Sequence, residues 1–234
     1  MKIIISPSKT ITISKSIYLK DSKIVFPEKH QKILSLLQII SKEQLKKIMK
    51  INKKLLDTTY DNIQNYNMLP TLQAFEGFNG LVFKGLKREE YQFLEYNYIK
   101  SNIVILDAFY GILLPGNVIK PYRLDMKMKI GVDLYSFWDV NKYFENEMII
   151  NLASKEFSKM ITSKNIINIC FLEHINNAYV NKATYSKQAR GQFLNFLISN
   201  QIIDLKLMKK FNKSNYLYNQ ALSNDLNIVF TRWI

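Results

Sequence analysis

Four stretches of this chain carry side chains that could act on one ligand. Ser6, Lys9 and Thr10 follow the apolar run Lys2 to Ile5, and hydroxyls with an ammonium just past the carboxyl end of a strand can hold phosphate or carboxylate. Pro121 to Met126 (PYRLDM) sets Arg123 and Asp125 two residues apart on a backbone stiffened by proline. Asn151, Ser154 and Glu156 follow another apolar run, Met148 to Leu152. Lys187 and Arg190 stand one turn apart near the start of a helical stretch, where like charges repel, so either a bound anion or an internal Asp or Glu is expected between them. Together these form a candidate cleft: Lys9, Arg123, Lys187 and Arg190 bind an anion, with Ser6, Thr10, Tyr110, Asn151, Ser154, Asp125 and Glu156 as polar partners. Asp125 or Glu156 is the candidate general base and Tyr110 a further catalytic candidate. The plainer readings are a polar surface turn at Ser6 to Thr10 and an Arg123/Asp125 pair that only pins its own loop.

Other chemistries find no residues. One cysteine and two histidines, His30 and His174, stand far apart and in no ligand spacing. Neither an iron-sulfur cluster nor a typical zinc site can be built from them, and a carboxylate iron site has no visible motif. There is no phosphate loop of the triphosphatase type and no glycine-rich dinucleotide fingerprint, and no histidine suits a serine triad. No metal and no cofactor are expected.

The elements that must position these groups follow from the apolar pattern. Runs starting near Lys2, Ile103 and Met148 read as buried strands ending in polar groups: Ser6 and Lys9, Asp107 and Tyr110, Asn151 and Ser154. If the three are parallel neighbours, their ends converge on one site. After Asp107, the glycine at 111 and the prolines at 115 and 121 predict a long ordered loop. His30 to Ile40 reads as one helix; Ser41, with Gln44 completing a capping box, starts a second that runs to about Leu56. On that second helix Lys42, Lys46, Lys47, Lys50, Lys53 and Lys54 fall in one sector of roughly 140°. Residues 30–57 are therefore a candidate helical hairpin lobe, with Lys46, Lys50 and Lys53 on a DNA backbone, although its turn lacks glycine. A solvated helix face is the alternative. Lys87 to Tyr98 is an aromatic-rich helix with Tyr91, Leu94 and Tyr98 inward, and Tyr185 to Ile198 a helix burying Phe193, Leu194, Leu197 and Ile198. Trp138 is either a wall of the cleft or core. Cys170 reads as a small buried hydrophobe in a strand from Ile166 to Leu172.

The 234 residues carry a net charge of +14 and 47% hydrophobic side chains, enough for one α/β domain over residues 1–234. The charge favours a polyanion such as nucleic acid, but a chain rich in Lys, Asn and Ile is also what AT-rich codon usage supplies. No apolar run approaches a membrane span, no cleavage signal follows Met1, and the single cysteine excludes an internal disulfide. A cytoplasmic protein without a membrane partner is expected.

Several blocks, in order, resemble one family across essentially the whole chain. They are Ser6 to Thr10, Gly80 to Leu86 (GLVFKGL), Tyr110 to Leu113 with Pro115, PYRLDM, Leu134 to Trp138 (LYSFW), Asn151 to Ser154 with Glu156-Phe157, and Lys187 to Gly191 (KQARG). They resemble the YaaA family of bacterial peroxide-stress proteins, long of unknown function. The resemblance implies a cytosolic protein that limits peroxide damage by lowering free iron. It also implies DNA binding, duplex or branched, through a helix-hairpin-helix element and a basic cleft in an unusual, mixed and largely parallel α/β fold with flanking helices. With no visible iron ligands, the effect on iron would be indirect. Leu114 stands where the family usually has arginine, and Gly116-Asn117 where a Leu-Asp pair is common. The alternative is an enzyme acting on a nucleotide or a nucleic-acid base in the same cleft.

Overall fold

The computed structural model describes residues 1–233. Its order is β1 (Lys2–Ile5), α1 (Pro27–Gln38), α2 (Lys42–Met49), α3 (Lys53–Gln64), β2 (Leu72–Gln73), α4 (Ala74–Gly77), α5 (Phe93–Asn102), β3 (Ile103–Asp107) and β4 (Gly111–Leu113). There follow β5 (Val118–Ile119), α6 (Leu134–Trp138), β6 (Ile149–Asn151), α7 (Lys155–Ser158), β7 (Ile166–Ile175), β8 (Ala178–Val180), α8 (Ala183–Ser199), α9 (Leu205–Met208), β9 (Leu217–Tyr218) and β10 (Asn227–Trp233).

The main sheet runs β4-β3-β1-β6-β7-β10-β9, with β8 folded back on β7. β3, β1, β6, β7 and β10 are parallel; β4, β8 and β9 are antiparallel additions. The fold is therefore α/β with a mixed, mostly parallel sheet, as the apolar runs predict. β3 is buried at all five positions, the burial on both faces that a parallel strand between helices requires. The chain lays β3 on one side of β1 and β6 on the other, pairing Ile4 with Val104 and with Asn151. β1 is thus a topological switch point, and the crevice beyond its carboxyl end is where such sheets take ligands.

Several expectations need correction. The loop after Asp107 is partly a hairpin, because Gly111 takes φ +75° and lets β4 return antiparallel along β3. A Cβ at Gly111 would lie 2.4 Å from the Trp138 ring, whose Nε1 donates to the Ala108 carbonyl at 2.9 Å. Trp138 is fully buried core and not a cleft wall. The helix expected from Ser41 to Leu56 is two helices. Ser41 does cap α2 with a complete capping box, but Lys50 ends it at φ 50° and Asn52 caps α3 by accepting from Leu55 N at 2.9 Å. The lysine sector is thereby split at Lys50, and Lys42 is drawn off to Asp57 at 2.8 Å. The helix expected over Lys87 to Tyr98 begins only at Phe93; Tyr91 and Tyr98 are buried, whereas Leu94 is exposed. Phe193, Leu194, Leu197 and Ile198 of α8 are all fully buried. Cys170 is half-buried, with burial raising its thiol pKa.

Candidate functional site

The segments after β1 and β6, the PYRLDM loop and the N-terminal half of α8 meet in one cleft of about 550 Å³. It is lined by Ser6, Lys9, Thr10, Arg123, Asp125, Ser154, Glu156, Lys187 and Arg190, nine of the residues singled out in the sequence. Their convergence has a local cause at each element. β1 and β6 are parallel neighbours, and a latch ties their ends: Ser154 N donates to Ser6 Oγ at 2.9 Å, and Ser6 Oγ in turn to Ser154 Oγ at 3.3 Å. The PYRLDM loop is held from both sides, by Lys9 Nζ on Asp125 Oδ2 at 2.6 Å and by Met126 N on Glu156 Oε1 at 3.1 Å.

α8 reaches the cleft through a contact between two glycines. A Cβ on Gly85 would meet Gly191 C at 2.8 Å, and one on Gly191 would meet the Val82 carbonyl at 2.2 Å. Only hydrogen fits at either position, so α8 lies directly on the Val82–Gly85 backbone and presents Arg190 and Lys187 to the cleft. Two of the blocks quoted from the sequence, GLVFKGL and KQARG, touch here.

The charges sort into two kinds. Lys9 and Asp125 neutralise one another. Arg123 and Arg190 do not behave so: each has a buried Nε without a hydrogen-bond partner, and neither guanidinium joins an ion pair or hydrogen bond among the described residues. Burial pulls the Arg190 pKa below its ordinary value, the response of a cation that has lost water. Among the described residues no carboxylate pairs with Lys187 or Arg190, so the internal Asp or Glu that would have explained their spacing is not found there. Lys155, which the sequence reading passed over between Ser154 and Glu156, adds a further cation to the lining.

Other candidates lie elsewhere. Asn151 is buried at the end of β6, where Oδ1 accepts from Ala153 N at 2.9 Å and Nδ2 donates to Asn168 Oδ1 at 2.8 Å, so it braces the strand end. Tyr110 is buried behind the cleft, its hydroxyl 2.6 Å from that of Tyr66 and accepting from Lys120 N at 3.0 Å; burial holds its pKa well above the ordinary range. Lys46 on α2, Lys50 at its C-cap and Lys53 on α3 are exposed, outside the cleft lining. Leu114 and Asn117 are also outside it. The Asn117 amide clasps the loop, accepting from Leu114 N at 2.7 Å and donating to Lys23 O at 2.7 Å and Ser22 Oγ at 3.0 Å.

The sequence reading missed Asp107 and Tyr122 as a pair. Asp107 is fully buried, accepts from Phe109 N at 2.7 Å and Tyr110 N at 2.9 Å, and receives the Tyr122 hydroxyl on its other oxygen. Burial pushes its pKa up to about 6 against the hydrogen bonds that lower it. The available signal was a carboxylate closing an all-apolar strand, with a tyrosine in a proline-fixed segment further on. Among the described residues no group of three or more His, Cys, Asp or Glu gathers as a metal site. No helix there is long and apolar enough to cross a membrane.

The family model described as peroxide stress protein YaaA matches residues 1–222. A UPF0246 protein of Fusobacterium nucleatum is 41% identical over 247 residues, covering 99% of both chains. UPF0246 proteins of Agathobacter rectalis and Malacoplasma penetrans are 35% and 33% identical, covering all or 99% of each chain. The chain belongs to the peroxide stress protein YaaA family.

Proposed function

We propose that this YaaA-family member is a cytoplasmic DNA-binding protein of the peroxide response whose cleft holds backbone phosphates, acting as one unit over its length. One observation carries the reading: two half-buried arginines at the carboxyl end of the switch-point strand have no protein acceptor. A guanidinium in that state is matched by a phosphate, which supplies both charge and paired acceptors. The net charge of +14 and the exposed Lys46, Lys50 and Lys53 supply the wider field. The α2–α3 hairpin, joined through Lys50, Ile51 and Asn52, is the candidate helix-hairpin-helix contact. Any lowering of free iron is an indirect consequence, a part of the reading carried by the family resemblance alone.

The test is a salt titration of binding to duplex and branched DNA. Wild type should lose affinity steeply with salt, and Arg123→Ala and Arg190→Ala should each flatten the log-log slope by about 1. A Lys46→Glu, Lys50→Glu variant should weaken binding to every sequence alike. Wild type that fails to bind at moderate salt would sink the proposal.

The second reading is an enzyme acting on a nucleotide or base, supported by Asp125 and Glu156 in the same lining. Both carboxylates are already engaged, with Lys9 and with Met126 N, so each would have to exchange that partner for substrate. Product analysis after incubation with nucleotides and oligonucleotides separates the two readings.

A further inference from the structure

Tyr122 stands between two spaces. One is the cleft; the other is an annex of about 240 Å³ between the cleft and α3. Lys9, Tyr122 and Arg123 line both, so the two adjoin along these three side chains. The annex is walled by Leu37, Leu55, Phe109 and Pro121 and carries the Asn62 amide, which makes no hydrogen bond among the described residues. Apolar walls with one or two placed polar groups are the make-up of a small-molecule site, and this volume, below the roughly 300–1,000 Å³ of a drug-sized pocket, suits a single ring system.

The Tyr122 ring is held in place. Its hydroxyl is anchored on the buried Asp107 carboxylate, its face stacks on Phe109 at 5.1 Å and 30°, and the Tyr110 ring abuts it at 5.1 Å and 86°. An aromatic face fixed at both ends stacks a planar ligand without losing rotamer freedom. Arg123 at the shared mouth adds a planar cation without a protein acceptor. Tyr122, the Asn62 amide and the Arg123 guanidinium therefore line one annex, the kinds of group that base and phosphate of one nucleotide would use.

We infer that the annex is a nucleobase pocket that takes the ring of one nucleotide while Arg123 holds its phosphate. The inference rests on the phosphate-binding reading of the cleft. Because the pocket is walled off beside the backbone track, the base that enters it is out of the helical stack, and an unpaired nucleotide binds in preference to a paired one.

The experiment uses the full chain and two duplexes, compared at each point of one salt titration. One carries a single unpaired 2-aminopurine; the other has an abasic residue in its place, with the phosphates kept. The 2-aminopurine duplex should bind about tenfold tighter, as expected for one base stacked on an aromatic face, with its fluorescence quenched. Asn62→Ala, on a half-exposed helix position, and Tyr122→Leu should each lose that increment while keeping the abasic affinity and the salt slope. Should Tyr122→Leu fail to fold, Asn62→Ala decides alone. Equal binding of the two duplexes, or an increment that survives Asn62→Ala, overturns the pocket and leaves the phosphate reading standing. If neither duplex binds, the phosphate reading fails; calorimetry with dGMP against deoxyribose 5-phosphate then decides the pocket, and equal affinity for the two rejects it.

Discussion

Arg88 and Arg190 are two half-buried arginines, each with a buried Nε that has no hydrogen-bond partner, in different company. Burial lowers the pKa of both. Arg88 donates to the Glu76 and Phe78 carbonyls at 3.0 and 2.8 Å, lies over Phe75 and Phe83 at 5.2 and 5.3 Å, and has the buried Glu76 carboxylate as its main counter-charge, without a direct ion pair. Arg190 has none of these among the described residues. A cation answered from within the chain belongs to the fold, and one left unanswered at a cleft belongs to a ligand, since burying a bare charge costs stability that packing does not return. The chain has 4 arginines against 29 lysines, and 2 of the 4 line the cleft, so residue type separates the site from the general basic background better than net charge does.

The comparison breaks first at the two arginines themselves. Arg88→Met strands Glu76 and two carbonyls and should cost about 3 kcal/mol in urea unfolding. Arg190→Met should fall within about 1 kcal/mol of wild type, or above it, while losing roughly tenfold in DNA affinity. Equal destabilisation by the two would end the distinction.

Asp107 sharpens it from the other sign, as a buried carboxylate with three donors and no cation. Its pKa of about 6 lies above the unfolded value near 4, so its protonation favours the folded state. That contribution is complete below pH 4 and lost as pH rises to 6. Subtracting an Asp107→Asn curve from the wild-type stability curve should leave a fall of about 3 kcal/mol across that window. Glu76, also raised by burial, acts in the same direction; His30, lowered by burial, acts in the opposite one. A flat difference would mean that the three hydrogen bonds fully offset the lost water.

Next in size is the glycine contact, because an arginine without side-chain partners is placed by backbone alone. Gly191→Ala puts a Cβ 2.2 Å from the Val82 carbonyl and should cost about 1–3 kcal/mol. DNA affinity should fall further than in Lys187→Ala, since α8 as a whole is displaced. The smallest effect is expected for the solvated cations: Lys46→Ala and Lys50→Ala should leave urea unfolding unchanged and reduce the salt slope by about 1 each.

Much of this was legible in the chain. The apolar runs at Lys2, Ile103 and Met148 became β1, β3 and β6 because a strand buried on both faces has few other ways to be written. The Ser41 capping box is local in the same way, and Ser6, Lys9, Thr10, Ser154 and Glu156 of the cleft follow the ends of β1 and β6, whereas Asp107 and Tyr110 at the end of β3 lie outside its lining. The single lysine helix was misread because Asn52, an N-cap signal, lay inside an otherwise continuous helical pattern. Leu94 and Asn151 were misplaced because spacing assigns a residue to a face or a strand end without saying what covers it.

The sequence by itself determined the family, the parallel strands and the residue types at their ends, since these depend on local pattern and on blocks kept in order. Tertiary structure alone decided which charges are spent. That Lys9 answers Asp125 across 116 residues, that Gly85 and Gly191 let α8 deliver Arg190, and that Asp107 fixes Tyr122 are contacts between distant segments. The worth of a charge depends on the partners and the water it has after folding, and neither is set by its neighbours along the chain.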